Sequence, residues 1–272
     1  MNSKILEALI KHQPNTLIFV EKKYSDVDDV IFSYLKSINC SQKHFCNKCL
    51  ECNKINGLAY YDLKIIDGFN ENIYKNDIEK IIGSFNYSAL EKSGNKFLII
   101  YGIENANKFI INSLLKVIEN LQKNTFFIFT TRNLQQVPQT IISRCQVYNI
   151  LEDKKKIIDC LVEKNIPKNH IDGLMEMFFN LKEMLKNYDN QVFLKLFDLG
   201  NIILESKNNF VNLKKILNDF KKLNYFEIIF LIKYVFSKYE VFNKSDVLDL
   251  VNLVKLSINK ILIFDRLISM LN

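Results

Sequence analysis

The sequence has 272 residues, 48% of them hydrophobic, so it is long enough to form two or three domains with more than one packed core. Its 37 basic and 30 acidic residues give a net charge of +7, but the lysines are scattered, so charge alone does not predict a nucleic-acid-binding protein. No apolar run reaches the roughly 18 residues of a membrane span and no signal-peptide pattern is visible, so we expect a cytoplasmic protein without membrane contact.

The first half of the chain alternates between helical and strand patterns. Residues 1–12 predict an amphipathic helix. Short apolar runs predict buried strands at residues 16–20, 63–67, 96–101 and 125–130. Apolar residues three and four apart predict helices at residues 26–38, 76–84 and 107–121. This alternation is typical of an α/β domain in which helices connect the strands of a parallel sheet.

After Ile150 the strand signals stop, and the remaining residues predict consecutive amphipathic helices separated by short polar segments. The last of these is predicted to place a set of apolar residues on one face: Val247, Leu250, Val251, Val254, Ile258 and Ile261. The closing segment has more apolar residues than a lone helical bundle needs, so we expect it to form a subunit interface. These residues are Ile263, Phe264, Leu267, Ile268 and Leu271.

Four of the six cysteines form the strongest chemical signal in the sequence. They follow a predicted helix in a C-x5-C-x2-C-x2-C pattern: Cys40, Cys46, Cys49 and Cys52. Such spacing lets tight turns direct several thiolates at one ion, so it predicts a zinc site. Four thiolates leave no position for water, so the site is expected to be structural.

Two alternatives to this ligand set remain open. Disulfides are the first, although a cytoplasmic protein would normally keep them reduced and four thiols so close are poorly arranged for two unstrained bridges. In the second, His44 replaces one cysteine, most plausibly Cys40. The other two cysteines, Cys145 and Cys160, are expected to be small buried apolar side chains.

An α/β half followed by a helical half suggests a nucleotide-binding ATPase, but both parts of its active site are missing. No glycine precedes Gly57, so the segment after the first strand cannot form a glycine-rich phosphate loop. The strand at residues 96–101 ends in Tyr101 and Gly102 instead of the acidic pair that would hold magnesium, and Glu104 comes too late to replace it. We therefore expect that the chain neither binds nor hydrolyses ATP.

Several segments together resemble a known family. The cysteine cluster lies between the first crossover helix and the second strand, residues 112–119 read NSLLKVIE, residues 137–146 read VPQTIISRCQ, and residues 259–267 read NKILIFDRL. This combination resembles the delta-prime subunits of bacterial replicative clamp loaders, which belong to the AAA+ ATPases. The cysteine spacing is three residues shorter than the family pattern, and the segment at residues 120–122 lacks the family's prolines.

The resemblance implies an architecture and a set of partners. It implies an AAA+-like α/β domain at residues 1–150 with an inserted zinc module at 40–52, a helical lid at 151–205 and a helical collar at 206–272. The implied partners are gamma/tau and delta subunits in a hetero-oligomer, expected to be a pentamer. Through that complex the chain would help to load the sliding clamp onto primer-template DNA.

The resemblance also implies a role for Arg144. In this family the arginine of the serine-arginine-cysteine motif projects towards ATP held by the neighbouring motor subunit, so Arg144 would act in trans on ATP hydrolysis. Only three of the 37 basic residues are arginines, which favours a position that requires the forked guanidinium. The simpler interpretation is a surface arginine or a structural ion pair. Ser143 is expected to fix the turn.

Two other functions remain as alternatives. A zinc-containing nucleic-acid-binding protein would use the cysteine segment for recognition, but that segment offers only Lys43, Lys48, Lys54 and Phe45. A divergent gamma/tau-like ATPase with an unusual nucleotide site would hydrolyse ATP by itself.

Overall fold

The structure, a computed structural model, describes residues 2–42, 45–206, 210–238, 244–256 and 259–271. The chain forms two compact units, residues 1–154 and residues 155–272. Its three-domain division at residues 150 and 205 stays a prediction. In the part of the chain that the structure describes, no helix combines the length and the apolar content needed to cross a bilayer.

The first unit is built on a five-stranded parallel sheet. In chain order its strands are β1 (Thr16–Val20), β2 (Leu63–Asp67), β3 (Lys96–Tyr101), β4 (Thr125–Thr131) and β5 (Gln146–Asn149). Their order in the sheet is β2-β3-β4-β1-β5, and every neighbouring pair is parallel. All residues of β3 and β4 are buried, as the continuous apolar runs of a doubly covered parallel sheet require.

Helices cover both faces of this sheet. They are α1 (Asn2–His12), α2 (Val27–Asn39), α3 (Leu50–Asn56), α4 (Lys75–Phe85), α5 (Lys108–Ile118) and the single turn α6 (Gln139–Ile142). Because successive residues of a strand face opposite ways, Leu17 and Phe19 join the core that contains residues of α1 and α2. Ile18 joins the opposite core, which contains residues of α4 and α5.

The second unit is helical. Its helices are α7 (Lys154–Glu163), α8 (Lys168–Met177), α9 (Leu181–Asn187), α10 (Asn190–Ser206), α11 (Phe210–Lys222), α12 (Tyr225–Ser237), α13 (Lys244–Lys255) and α14 (Lys260–Leu271). One apolar core contains residues of all five helices from α10 through α14. Helix α12 begins with a capping box, in which Asn224 and Glu227 each accept a hydrogen bond from the other's backbone N–H. The expected α/β first part and helical second part are confirmed.

A second cluster in this unit is aromatic and surrounds His170. The imidazole of His170 is fully buried and stacks on the ring of Phe197 at 4.9 Å between centroids. Its Nδ1 lies 2.9 Å from the hydroxyl of Tyr188, which donates to Asn190 Oδ1 at 3.0 Å. A hydroxyl that donates its one hydrogen to Asn190 accepts from His170, so the imidazole carries its proton on Nδ1.

Two expectations about the C-terminal segment were wrong. The predicted last helix is two helices, because α13 ends at Lys255 and α14 begins after Asn259, whose side-chain oxygen accepts from Ile261 N at 2.9 Å. Of the apolar positions predicted on its single face, Ile258 lies outside the described residues. The five apolar residues expected at a subunit interface, Ile263 to Leu271, are instead buried in the core of their own unit. A helix covered on several sides needs more apolar residues than one with a solvent-exposed face.

Candidate functional site

The four clustered cysteines lie where two helices meet. Cys40 directly follows α2, and its backbone N–H donates to the carbonyl of Lys36 at 2.8 Å. Cys49 caps α3, with its Sγ accepting from Cys52 N at 3.5 Å, and Cys46 Sγ accepts from Cys49 N at 3.3 Å. All four sulfurs lie within 4.8 Å of one another. The predicted cysteines are therefore brought to one point.

This sulfur arrangement fits a tetrahedral metal. Four sulfurs at about 2.3 Å from a zinc ion would be about 3.8 Å apart, and Cys40 Sγ and Cys49 Sγ are separated by 4.0 Å. All four cysteines are free thiols, so the disulfide alternative does not describe this state. The other proposed ligand, His44, lies outside the described residues. The cluster could hold a metal ion with its four cysteines alone.

Two of the thiols, Cys46 and Cys52, differ in their tendency to ionise. Backbone hydrogen bonds from Lys48 and Cys49 hold the pKa of Cys46 below its usual value. Burial raises the pKa of Cys52 to about 12. A bound cation would displace the proton from such a thiol, because thiolates are the ligand form.

A buried lysine accompanies the cluster. Lys36 is 8% exposed, and its Nζ donates to Oδ1 of Asn47, between Cys46 and Cys49, at 2.7 Å. Among the residues that the structure describes, no carboxylate forms an ion pair with Lys36. Burying an ammonium without an anion is costly, whereas four thiolates around a divalent metal carry a net charge of −2. The position of Lys36 is therefore suited to a metal–thiolate site.

The ends of the cysteine segment are tied to the sheet domain. Tyr60 donates to Oδ1 of Asn39 at 3.2 Å, and Asn95 Nδ2 donates to the same oxygen at 2.9 Å. From α3, Lys54 pairs with the buried Glu91 at 2.7 Å. These contacts fix the segment against the loop that precedes β3.

Side chains of this chain pack against one another at the carboxyl edge of the sheet, where β1, β3 and β4 end. Glu21, the first residue after β1, is 3% exposed, and Arg132 Nε lies 4.0 Å from its Oε2. The guanidinium of Arg132 also stacks on Phe69 at 3.9 Å, and its backbone N–H donates to Glu104 at 2.8 Å. The sequence did not predict this network; the scarcity of arginine was the signal that could have pointed to Arg132.

Arg144 lies at the opposite edge of the sheet. It stands between α6 and β5, and its carbonyl accepts from the hydroxyl of Thr16, the first residue of β1, at 2.7 Å. Because all five strands run the same way, the start of β1 lies at the amino edge and Glu21 at the carboxyl edge. A five-residue strand separates the two positions by about 16 Å.

The side chain of Arg144 is half-exposed but held. Its Nε donates to Oε1 of Glu119 at 2.9 Å, and its Nη2 forms an ion pair with the same oxygen at 2.6 Å. Its Nη1 donates to the carbonyl of Thr140 at 3.0 Å and to Oγ of Ser143 at 3.2 Å. Ser143 thus fixes the turn, as expected, and the guanidinium is presented at the surface in a defined plane.

Comparisons with known proteins give one family match and several relatives. The family model described as DNA polymerase III, delta subunit, matches residues 3–154. An uncharacterized protein of Mycoplasma pneumoniae, the MG007 homolog, is 23% identical over 232 residues, which cover 85% of this chain and 88% of that protein. The DNA polymerase III subunit delta' of Bacillus subtilis is 28% identical over 179 residues. That match covers 65% of this chain and only 54% of the Bacillus protein, so the chain spans about half the length of that relative.

One solved structure has the same fold over its whole length. A gamma subunit-related protein of DNA polymerase III from Thermotoga maritima matches with a TM-score of 0.61 at 16% identity, over 100% of this chain and 98% of that one. At this identity the likeness concerns the fold.

Proposed function

Because this chain belongs to the DNA polymerase III delta-subunit family, we propose that it is a delta-prime-type subunit of a replicative clamp loader. In this role it does not hydrolyse ATP. It supplies Arg144 to the ATP site of a neighbouring motor subunit, and through the complex it helps to load the sliding clamp onto primed DNA.

The observation that carries this proposal is the position of Arg144. The guanidinium lies at the amino edge of the sheet, whereas nucleotides in open parallel sheets bind at the carboxyl edge. Arg144 therefore lies away from the edge at which its own sheet would bind a nucleotide, which supports a role for its half-exposed guanidinium on another molecule. A fixed, forked cation is suited to the charge that spreads over phosphoryl oxygens during transfer.

The filled carboxyl edge supports the absence of ATP hydrolysis by this chain. A phosphate would meet the buried carboxylate of Glu21 where a phosphate loop should offer backbone N–H groups. Arg132, a cation at this edge, is already engaged with Glu21 and Phe69. Tyr101, in place of a metal-binding acid, donates its hydroxyl to Asp28 at 2.6 Å.

The cysteine cluster is proposed to hold one structural zinc ion through Cys40, Cys46, Cys49 and Cys52. Four sulfurs with the spacing of a tetrahedron and a buried lysine beside them fit zinc better than two disulfides. The ion would fix the segment between α2 and α3, and it would take no part in ATP chemistry.

The proposed partners are the gamma/tau and delta subunits of the clamp loader, in a pentamer. The sliding clamp and primer-template DNA are reached through that complex. The chain would work in the cytoplasm, where replication proteins of bacteria act.

The test is reconstitution of the loader with Arg144→Ala and Arg144→Lys. Both variants should assemble, as judged by size-exclusion chromatography, and both should lower DNA-stimulated ATP turnover and clamp loading. Arginine fingers contribute roughly 10³-fold or more at one site, but the loader has several ATP sites, so the loss in bulk hydrolysis is smaller. Lys116→Ala, an exposed cation on α5, is the matched control. Assembled Arg144 variants with unchanged activity in both assays would refute the proposal.

A further inference from the structure

Glu119 makes the principal ionic contact of Arg144. It directly follows α5, and its own backbone N–H donates to the carbonyl of Leu115. One of its carboxylate oxygens accepts from Nε of Arg144 at 2.9 Å and lies 2.6 Å from Nη2 in an ion pair. The carbonyl of Thr140 in α6 accepts from Nη1 at 3.0 Å. Contacts from two separate elements therefore fix the plane of the guanidinium as well as its position.

This arrangement leaves part of the guanidinium available. Of its five N–H groups, Glu119 accepts the one on Nε, and Thr140 and Ser143 accept from Nη1. Nη2 lies 2.6 Å from Glu119 Oε1 in an ion pair, and these hydrogen bonds do not use its N–H groups. The side chain of Arg144 is 38% exposed, so an anion on another molecule can approach the guanidinium.

The location of Glu119 argues against a role in helix stability. A negative charge at the carboxyl end of a helix opposes the helix dipole, so α5 by itself would be better served by a neutral or basic residue there. The chain nevertheless places a carboxylate at this point, with the guanidinium as its ionic partner.

We propose that Glu119 is a positioning residue for Arg144, which holds the guanidinium in the orientation that a neighbouring subunit's phosphate meets. This inference rests on the proposed function of Arg144. Without Glu119, the long side chain of Arg144 would sample other rotamers. Fixing this side chain in one rotamer when the transition state forms would then cost free energy. The effect is therefore expected on kcat rather than on the KM for ATP.

The magnitude follows from the exposure of the pair. Both side chains are partly exposed, at 38% and 48%, and such pairs contribute at most about 1 kcal/mol, which corresponds to about fivefold in rate. We expect Glu119→Ala to lower the contribution of Arg144 to turnover about threefold. Glu119→Gln keeps an oxygen that can accept from Nε, so this variant should retain most of the turnover that Glu119→Ala loses.

The experiment compares four variants in the assembled loader by DNA-stimulated ATP hydrolysis at varied ATP concentration. They are Glu119→Ala, Glu119→Gln, Arg144→Ala and the double variant Glu119→Ala with Arg144→Ala. Glu79→Ala is the matched control, because Glu79 is also a half-exposed glutamate in an ion pair, with Lys75 at 3.3 Å. The turnover lost in Arg144→Ala defines the full contribution of the guanidinium.

If Glu119 acts through Arg144, Glu119→Ala lowers kcat with an unchanged KM and has no further effect on top of Arg144→Ala. A loss in Arg144→Ala with full activity in Glu119→Ala would overturn only the positioning role. An added loss in the double variant would also overturn it, because Glu119 would then act by another route. If Arg144→Ala itself matches the unmodified loader, the proposed function fails as well.

Discussion

The helical unit should lose stability as the pH falls below about 6.5, through the buried imidazole of His170. Its ring is fully buried, and its Nε2 has no hydrogen-bond partner among the described residues. Since Nδ1 already carries the proton that contacts Tyr188, a second proton must go to Nε2, beside the rings of Phe193 and Phe197. Burial lowers the pKa of His170 below its usual 6.5 for this reason.

The sign of the pH effect follows from this direction. The unfolded chain binds the proton at about 6.5, whereas the folded unit resists it until a lower pH. Stability is therefore complete above pH 6.5, falls as the pH drops towards the folded pKa of His170, and is constant below it. One group can change the free energy of unfolding by at most about 1.4 kcal/mol per pH unit, which corresponds to about 6 °C in the melting temperature of a unit of this size.

The assay is thermal unfolding followed by circular dichroism between pH 7.5 and 5.5. His170→Phe removes the titrating nitrogen and keeps a ring, so its melting temperature should depend less on pH than that of the unmodified chain. Its stability at pH 7.5 should change by only about 1 kcal/mol, the contribution of one hydrogen bond. His12→Gln, at the exposed end of α1, is the control and should keep the full dependence. Equal pH dependence in His170→Phe and the unmodified chain would refute the reasoning.

Three further predictions concern the metal site, the nucleotide site and the glycines. The purified chain should contain about one zinc ion. Lys36→Met should weaken zinc binding about 10- to 100-fold, as measured by competition with a chelator. An unchanged zinc affinity would show that Lys36 does not contribute to the metal site. Calorimetry with Mg-ATP should give no saturable heat, and binding at micromolar ATP would contradict the blocked carboxyl edge. Gly200→Ala should destabilise by about 1 to 3 kcal/mol in thermal unfolding, because the added Cβ would lie 2.6 Å from the Tyr234 ring. In Gly83→Ala the added Cβ would have no atom within 4 Å, so this variant should stabilise α4 by about 0.5 to 1 kcal/mol. If Gly83→Ala were the less stable of the two variants, packing around the added Cβ would not decide whether the substitution stabilises or destabilises the protein.

The sheet could be predicted from the sequence where burial is complete. The first three strands begin and end at the expected residues, and β4 is one residue longer than expected, because continuous apolar runs mark strands that are covered on both faces. Strand β5 was missed because it has four residues, two of them exposed, and its partner in the sheet, β1, lies far away in the chain. Helix α3 was missed because its seven residues are too few for helical periodicity.

The contents of the sites were predictable, but their contacts were not. The close spacing of the four cysteines predicted a metal site, and the motif around Arg144 could be recognised in the sequence. The contact between Glu119 and Arg144 joins residues 25 positions apart, and the contact between Glu21 and Arg132 joins two strands whose adjacency is a property of the fold. The break between α13 and α14 did carry a local signal, since asparagine is a common residue at the start of a helix.

The order of the strands has a consequence for synthesis on the ribosome. Strand β1 is the first to be made, yet it lies inside the sheet between β4 and β5. The side chain of Asn15, just before β1, binds the carbonyl of Thr125, 110 residues later, and Thr16 binds that of Arg144, 128 residues later. At about 5 to 20 residues per second, the apolar β1 waits for roughly 5 to 20 seconds before its partner strands emerge. A nascent chain stopped before residue 125 would therefore display β1 as an unpaired apolar strand, a surface that chaperones and proteases recognise.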